Sequence, residues 1–164
     1  MPQIDESKSV EFYNSMPKIR TAAGVLIFDR QGKLLLVKPN YRNTWGWPGG
    51  VNEPGESPLT AALRECHEEI GLCPGPLRPA FVNYIPPQPD GSHDVIHFVF
   101  TVDPVEDDFL KRVTLQQEEL DEARFVPIGQ LDSYMKKYRG RAVRTYLENR
   151  VDGAMLYLED GLMR

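Results

Sequence analysis

The feature that most constrains this chain is a segment rich in glycine and proline that leads directly into a helix with clear ends. Residues 38–58 contain four prolines and four glycines, a density that prevents long regular structure. Ser57 then has the side chain of an N-cap, Pro58 suits the first helical position, and Gly71 suits the C-cap. We therefore expect a loop followed by a helix that begins at Pro58 and ends before Gly71.

Helical periodicity gives this helix an apolar face and an acidic face. The apolar face is formed by Leu59, Ala62, Leu63, Cys66 and Ile70. The acidic face is formed by Glu65, Glu68 and Glu69. Like charges three and four residues apart repel by a few tenths of a kcal/mol per pair, so something must offset that cost. A divalent cation such as Mg²⁺ or Mn²⁺ would do so, because carboxylate oxygens suit such ions; the alternative is an acidic face that is simply solvated.

The rest of the chain predicts mixed α and β structure. Two short apolar runs around a turn at residues 29–32 predict a hairpin of strands 21–28 and 34–37. Further strands are expected over residues 80–85, 95–102 and 123–126, helices over 129–137 and 141–148, and a last strand or extended arm over 156–158.

Charge and composition exclude several classes of protein. The 164 residues include 19 basic and 24 acidic side chains, a net charge of −5, so the chain has no net positive field for broad nucleic-acid binding. No apolar run reaches the roughly 18 residues of a membrane span, and residues 1–20 lack the apolar run of a secretory signal. We therefore expect a cytoplasmic protein. Cys66 and Cys73, placed on opposite sides of the helix end, are expected to be free thiols.

Residues 50–72 combine the loop and the helix in one pattern of fixed spacing. The pattern is G-x5-E-x7-R-E-U-x-E-E-x-G-U, in which U is apolar. It resembles the Nudix box of the Nudix (MutT-like) hydrolases. One position departs from the family, because Cys66 stands where a bulky aliphatic residue is usual. The resemblance extends to the Trp-Gly-Trp-Pro-Gly-Gly segment before the box and to the Glu-Glu-Leu-Asp-Glu-Ala-Arg-Phe-Val-Pro segment that begins at Glu118.

The resemblance implies a fold and a domain organisation. The implied fold is α/β in the α+β sense, an α/β/α sandwich with a central mixed β-sheet and the box as a loop and helix against it. The implied Nudix hydrolase domain covers residues 18–150. It follows an N-terminal lead-in of residues 1–17, and a C-terminal tail of residues 151–164 is expected to pack on the same domain.

The resemblance also assigns roles to residues of the box. The candidate metal ligands are the carboxylates of Glu56, Glu65, Glu68 and Glu69 and the carbonyl oxygen of Gly49. Glu65 matches a position that either binds the metal or acts as general base. Arg64 lies about one helical turn from Glu68, which favours an orienting salt bridge over a plain surface pair.

A distal carboxylate is expected from the segment before the strand at 123–126. Glu119 matches this position best, with Glu118 and Glu122 as rivals and a solvated loop charge as the alternative. The candidate catalytic residues are therefore Arg64, Glu65, Glu68 and Glu119.

Six residues are candidate substrate contacts: Arg20, Lys38, Tyr41, Trp45, Trp47 and Pro87. The aromatic residues are able to stack on a base, but packing beside a Pro-Gly-Gly turn explains them better. For Arg20 and Lys38, phosphate contacts compete with solvated charge. Pro87 lies fifteen residues beyond Leu72, where relatives that act on ADP-ribose often carry a proline.

Together these features predict a hydrolase that depends on Mg²⁺ or Mn²⁺ and cleaves the pyrophosphate bond of a small nucleotide, either a nucleoside triphosphate or an ADP-ribose or nucleotide-sugar compound. The alternative is a Nudix-fold module that binds a nucleotide and regulates without catalysis. The box keeps its glutamates, which favours catalysis. Processing of RNA 5′ ends would need a basic channel, and the net charge argues against it. A homodimer is expected by analogy with relatives.

Overall fold

The computed structural model describes residues 6–164, with side chains from residue 9 onward. The helices are α1 (Glu6–Ser15), α2 (Pro58–Ile70), α3 (Phe109–Arg112) and α4 (Lys137–Asn149), with a 3₁₀ helix at Ile128–Ser133. The strands are β1 (Arg20–Leu26), β2 (Leu34–Pro39), β3 (Gly49–Val51), β4 (Arg78–Ile85), β5 (Val95–Thr101), β6 (Leu120–Val126), β7 (Leu156–Glu159) and β8 (Leu162–Met163).

Six strands form one mixed sheet in the order β3-β1-β5-β4-β7-β8. The pairs β1/β5 and β4/β7 are parallel and the other neighbours are antiparallel. Side chains at the end of β1 and in the two residues after it alternate between two cores: Val25 and Ile27 pack with α2, whereas Leu26 and Phe28 pack with α4. A mixed sheet between helices confirms the expected fold class.

The predicted hairpin is wrong beyond its first residue pair. The turn exists, and the Asp29 carboxylate accepts hydrogen bonds from the backbone of Gln31 and Lys33. After a single bridge between Phe28 and Leu34, however, β2 leaves and pairs with β6 in a separate two-stranded sheet. The reason is that β3 and β5 already occupy both edges of β1.

Helix α2 has the predicted ends but a rotated buried face. Ser57 Oγ accepts a hydrogen bond from Thr60 N, and Gly71 is left-handed with φ 80°. Leu59 and Leu63 were expected in the core, yet they are 45% and 37% exposed, and Ala61 is buried in their place. The small side chains at 61 and 62 let the helix lie close to β1. This rotation places Glu65 and Glu69 at the margin of the buried face.

The two cysteines also differ from expectation in their placement. Both are free, as predicted, but they do not lie on opposite sides of the helix end. The left-handed Gly71 turns the chain back, so the Cys66 and Cys73 thiols share a hydrogen bond. That hydrogen bond raises the pKa of Cys66 and lowers the pKa of Cys73 to about 6.

The ends of the chain contain more regular structure than the sequence suggested. The N-terminal lead-in contains α1, although residues 1–5 of it lie outside the described part. In the tail, β7 pairs in parallel with β4, which confirms the expected strand at 156–158. The helix expected at 129–137 is instead the 3₁₀ helix, and α4 begins four residues earlier than predicted. No helix within residues 6–164 has the length and apolar character needed to cross a bilayer.

Candidate active site

Arg64 is the common partner of three glutamates. Its Nε and Nη2 donate to the two carboxylate oxygens of Glu56 at 2.9 and 3.0 Å, and its Nη1 donates to Glu65 and Glu68 at 2.9 Å each. The fork geometry of the guanidinium suits the bidentate contact. This hydrogen bond from Arg64 also lowers the pKa of Glu56. Arg64 therefore holds the box together and is more than a surface pair with Glu68.

Glu69 lies deeper than the other box glutamates. Its Oε2 accepts a hydrogen bond from the backbone N–H of Gly49 at 2.8 Å. Burial, together with the negative charges of Glu65 and Glu119, raises the pKa of Glu69 to about 8. Burial likewise raises the pKa of Glu65. These two carboxyl groups are therefore placed where a cation would relieve unfavourable negative charge.

The paired glycines before the box let the loop pass close to both β1 and α2. Gly49 has φ 149°, and a Cβ at this position would lie 2.3 Å from the carbonyl oxygen of Ala23. A Cβ on Gly50 would lie 2.3 Å from Oε1 of Glu65. Only glycine fits this approach, so the Gly-Gly sequence has a direct steric cause.

A cavity of about 390 Å³ lies where these elements meet. Three of its lining residues carry carboxylates, Glu65, Glu69 and Glu119, and we call them together the acidic wall. Glu119 reaches the cavity because its backbone carbonyl accepts a hydrogen bond from Asn40 N, which fixes the segment before β6. We call the basic and aromatic residues of the lining the basic wall; they are Arg20, Tyr41, Arg42, Trp45, Trp47, His97, Lys136 and Arg139.

The donors of the acidic wall fit a hard divalent cation. All are carboxylate oxygens, the ligand type that Mg²⁺ and Mn²⁺ prefer, and a bound cation would favour the charged form of Glu69, whose pKa is raised by burial and by the charges of Glu65 and Glu119. Within residues 6–164, no three His, Cys, Asp or Glu side chains already stand in a metal-holding arrangement. Arg64 accounts for part of this, since it engages Glu56, Glu65 and Glu68 itself.

The predicted site residues divide into those at the cavity and those away from it. Glu65, Glu69, Glu119 and Gly49 line it, as do Arg20, Tyr41, Trp45 and Trp47. The five other predicted residues do not line it: Lys38, Glu56, Arg64, Glu68 and Pro87. Lys38 instead donates to Asp121 across β2 and β6. The carboxylate of Glu68 is half exposed and bonds to Arg64.

The two tryptophans both pack and line the cavity. Trp45 makes an edge contact with Tyr134, and Trp47 stacks on His97 with ring centroids 5.4 Å apart. Burial and the nearby charges of Arg139 and Arg20 lower the pKa of His97 to about 3, so its ring is neutral near pH 7. Trp47 and His97 therefore contribute an uncharged aromatic pair to the basic wall.

Sequence reasoning missed Lys136, Tyr138 and Arg139, which reach the cavity from the start of α4. No motif marks them. The available signal was the basic run Lys136-Lys137-Tyr138-Arg139 at a helix N-terminus, where positive charge is unfavourable and calls for an explanation.

Comparison with known proteins identifies the family. The NUDIX domain model matches residues 18–146. An RNA pyrophosphohydrolase of Photorhabdus laumondii is 42% identical over 53 residues, 32% of this chain and 30% of the relative. An isopentenyl-diphosphate Delta-isomerase of Streptomyces avermitilis is 39% identical over 82 residues, 46% of this chain and 42% of the relative.

Each match to these two curated relatives thus covers less than half of the relative's length. Among solved structures, the MutT protein of Methanosarcina mazei Go1 has 27% identity and a TM-score of 0.54, covering 71% of this chain and 83% of that one. The box, the fold and these matches agree: the chain belongs to the NUDIX domain family.

Proposed function

We propose that this protein is a metal-dependent pyrophosphohydrolase of small nucleotides. The observation that carries the proposal is one cavity whose lining combines three carboxylates, those of Glu65, Glu69 and Glu119, with the basic and aromatic side chains of the basic wall. A pyrophosphate needs cations on its oxygens and a water molecule that loses a proton. This cavity supplies carboxylates to hold the cation and to accept the proton of the water molecule.

The residues have separable roles in this proposal. Glu65, Glu69 and Glu119 would hold a divalent cation, which supplies charge neutralisation and lowers the pKa of bound water. Glu56, Glu68 and the Gly49 carbonyl stay predicted ligands. Arg64 is a positioning residue, because it fixes three carboxylates by hydrogen bonds.

The bond changes follow from the chemistry of an anhydride. A water oxygen attacks one phosphorus, the bridging P–O bond breaks, and the second phosphate leaves with the electron pair of that bond. A glutamate at the cavity accepts the proton of the attacking water. Glu65 and Glu119 are the candidates for this base, because both line the cavity and the resemblance to the Nudix family gives this role to the Glu65 position or to a distal carboxylate.

Two substrate classes remain in the proposal, nucleoside triphosphates and compounds of the ADP-ribose and nucleotide-sugar type. RNA with a 5′-triphosphate is a second candidate, favoured by the name of the Photorhabdus relative. The net charge of −5 weighs less against RNA than the sequence suggested, because basic side chains gather at one wall of the cavity.

The test is phosphate release from a substrate panel in Mg²⁺ or Mn²⁺, with pyrophosphatase added for triphosphates and phosphatase added for compounds whose cleavage leaves terminal monophosphates. The panel contains nucleoside triphosphates, ADP-ribose, nucleotide sugars, a 5′-triphosphorylated RNA and isopentenyl diphosphate. Glu69→Gln removes a carboxylate of the cavity, and Glu118→Gln is the matched control, because Glu118 does not line it.

We expect metal-dependent hydrolysis of one nucleotide class that Glu69→Gln abolishes and Glu118→Gln preserves. Tight nucleotide binding without turnover would favour the regulatory module instead. Isomerisation of isopentenyl diphosphate would contradict the proposed hydrolysis. A cytoplasmic location, a homodimer and the domain limits 18–150 stay predictions.

A further inference from the structure

Among the half-buried arginines in the described residues, Arg139 is the one without a carboxylate partner. The other three, Arg64, Arg141 and Arg144, pair with carboxylates. No carboxylate of residues 9–164 lies within ion-pair distance of the Arg139 guanidinium. A charge that is partly removed from water without a partner costs free energy, so its retention calls for a ligand.

The surroundings of Arg139 add to that cost. The Arg42 guanidinium lies nearby and repels it, and α4 begins two residues before Arg139, so the positive end of the helix dipole is close. Arg139 has a hydrogen bond to the side chain of Tyr138, and the negative charge of Glu69, on the acidic wall of the same cavity, attracts it from beyond ion-pair distance. An anion bound in this cavity would meet both Arg139 and Arg42.

The guanidinium is also held in place, as a recognition group requires. Its Cζ lies 5.0 Å from the centroid of the Trp47 ring, a cation–π contact. Gly46 leaves room for it, because a Cβ on Gly46 would lie 2.9 Å from Nη1 of Arg139. The Gly46 backbone itself is fixed by two hydrogen bonds with Val37. A planar fork held this way suits bidentate binding of a phosphate.

We propose that Arg139, with Arg42 beside it, is the substrate-binding residue that binds the phosphate not under attack. The inference rests on the proposed pyrophosphate substrate and adds a residue that no motif of the box contains. This role explains why Arg139 lacks a carboxylate partner, why its guanidinium stacks on Trp47 and why residue 46 is a glycine.

The test measures binding without turnover. The probe is the α,β-methylene analogue of ADP, whose P–C–P linkage cannot be hydrolysed, titrated calorimetrically with Mg²⁺ present. Arg139→Gln should weaken binding at least tenfold, and Arg139→Lys, which keeps the charge but loses the fork, should lie between it and the wild type. Arg144→Gln is the matched control on the same helix, since Arg144 pairs with Asp132 away from the cavity.

Thermal unfolding separates binding from a structural role. Without ligand, Arg139→Gln should melt at or above the wild-type temperature, because it removes an unpaired charge beside Arg42. A variant that melts lower while its affinity stays within twofold of the wild type would overturn the inference, as would equal weakening in Arg144→Gln.

Gly46→Ala gives a second route should Arg139→Gln fail to fold. The added methyl displaces the flexible end of Arg139, so we expect at least threefold weaker binding, and unchanged affinity would overturn the inference. The outcomes also separate this inference from the proposed function. Binding that depends on Arg139 without hydrolysis of any substrate rejects only the function, whereas hydrolysis with unchanged binding in Arg139→Gln rejects only the inference.

Discussion

The acidic and basic walls of the cavity are built in opposite ways. The two box glutamates of the acidic wall come from one continuous segment, and Arg64 binds one of them, Glu65, together with Glu56 and Glu68 outside the cavity. The basic wall is assembled from β1, the loop before β3, β5 and α4, and its Arg139 has no carboxylate partner in residues 9–164. Two residues of the acidic wall, Glu65 and Glu69, therefore accept hydrogen bonds from the protein before any ligand binds, whereas the basic wall has charge still to be satisfied.

This difference suggests a division of labour. A network that is already hydrogen-bonded loses little conformational freedom on binding and keeps the reacting groups in place. An unpaired cation instead gains its partner only when an anion arrives, so it contributes to affinity. The acidic wall should therefore control turnover, and the basic wall should control binding.

The largest expected effect is on turnover at the acidic wall. Glu69→Gln keeps an oxygen to accept the Gly49 N–H but removes the negative charge that would hold a cation. We expect kcat to fall on the order of 10³-fold, with Glu118→Gln within twofold of the wild type. Equal kcat in Glu69→Gln and the wild type would show that the acidic wall does not act in turnover.

Removal of Arg64 should have the next largest effect, on both turnover and stability. Arg64→Gln leaves Glu56, Glu65 and Glu68 without their common partner. We expect a fall in kcat of about 100-fold and a melting temperature lower by roughly 5 °C. Arg64→Lys should not restore kcat, because an ammonium cannot make the bidentate contact. Full rescue by lysine would mean that charge alone is needed.

A smaller effect is expected in the pH dependence of stability, to which Glu69 of the acidic wall should contribute. Burial raises the pKa of Glu69 from 4.5 to about 8. Between these values the folded protein keeps a proton that the unfolded chain has released, so stability in EDTA should fall as pH rises from about 5 to 8. Thermal melts of Glu69→Gln should show a flatter dependence. Parallel curves for both proteins would contradict the assignment.

The smallest effects are expected for predicted contacts that lie away from the cavity. Lys38 bonds to Asp121, and Pro87 is exposed and outside the cavity lining. Lys38→Gln and Pro87→Ala should each bind the methylene analogue of ADP within twofold of the wild type, against the tenfold loss expected for Arg139→Gln. A tenfold loss in either would show that the substrate extends beyond the described cavity.

The two walls also differ in how far the sequence predicts them. Two of the three acidic-wall residues, Glu65 and Glu69, follow from local spacing on one helix, whereas Glu119 was predicted only from the family resemblance. The sequence did not predict that Glu68 would lie outside the cavity, apart from Glu65 and Glu69. The rotation of α2 about its axis depends on how Ala61 and Ala62 pack against β1. This packing is a tertiary contact, and helical periodicity carries no information about it.

Four residues of the basic wall, Arg20, Tyr41, Trp45 and Trp47, were predicted as substrate contacts, but no motif identifies the others. His97 reaches it because β5 pairs in parallel with β1, and Arg139 reaches it because α4 packs on the opposite face of the sheet from α2. The same limit explains the failed hairpin, since the edges of β1 are taken by strands distant in sequence. Element positions were mostly predictable, whereas their spatial neighbours were not.

The most direct measurement is a crystal structure of the wild-type protein with Mg²⁺ and the α,β-methylene analogue of ADP. The account predicts a metal ion held by oxygens of the acidic wall, with Glu65 and Glu69 among its ligands. It also predicts a phosphate within hydrogen-bond distance of the Arg139 guanidinium. A nucleotide bound outside the cavity, or inside it without metal and without contact to Arg139, would contradict the account.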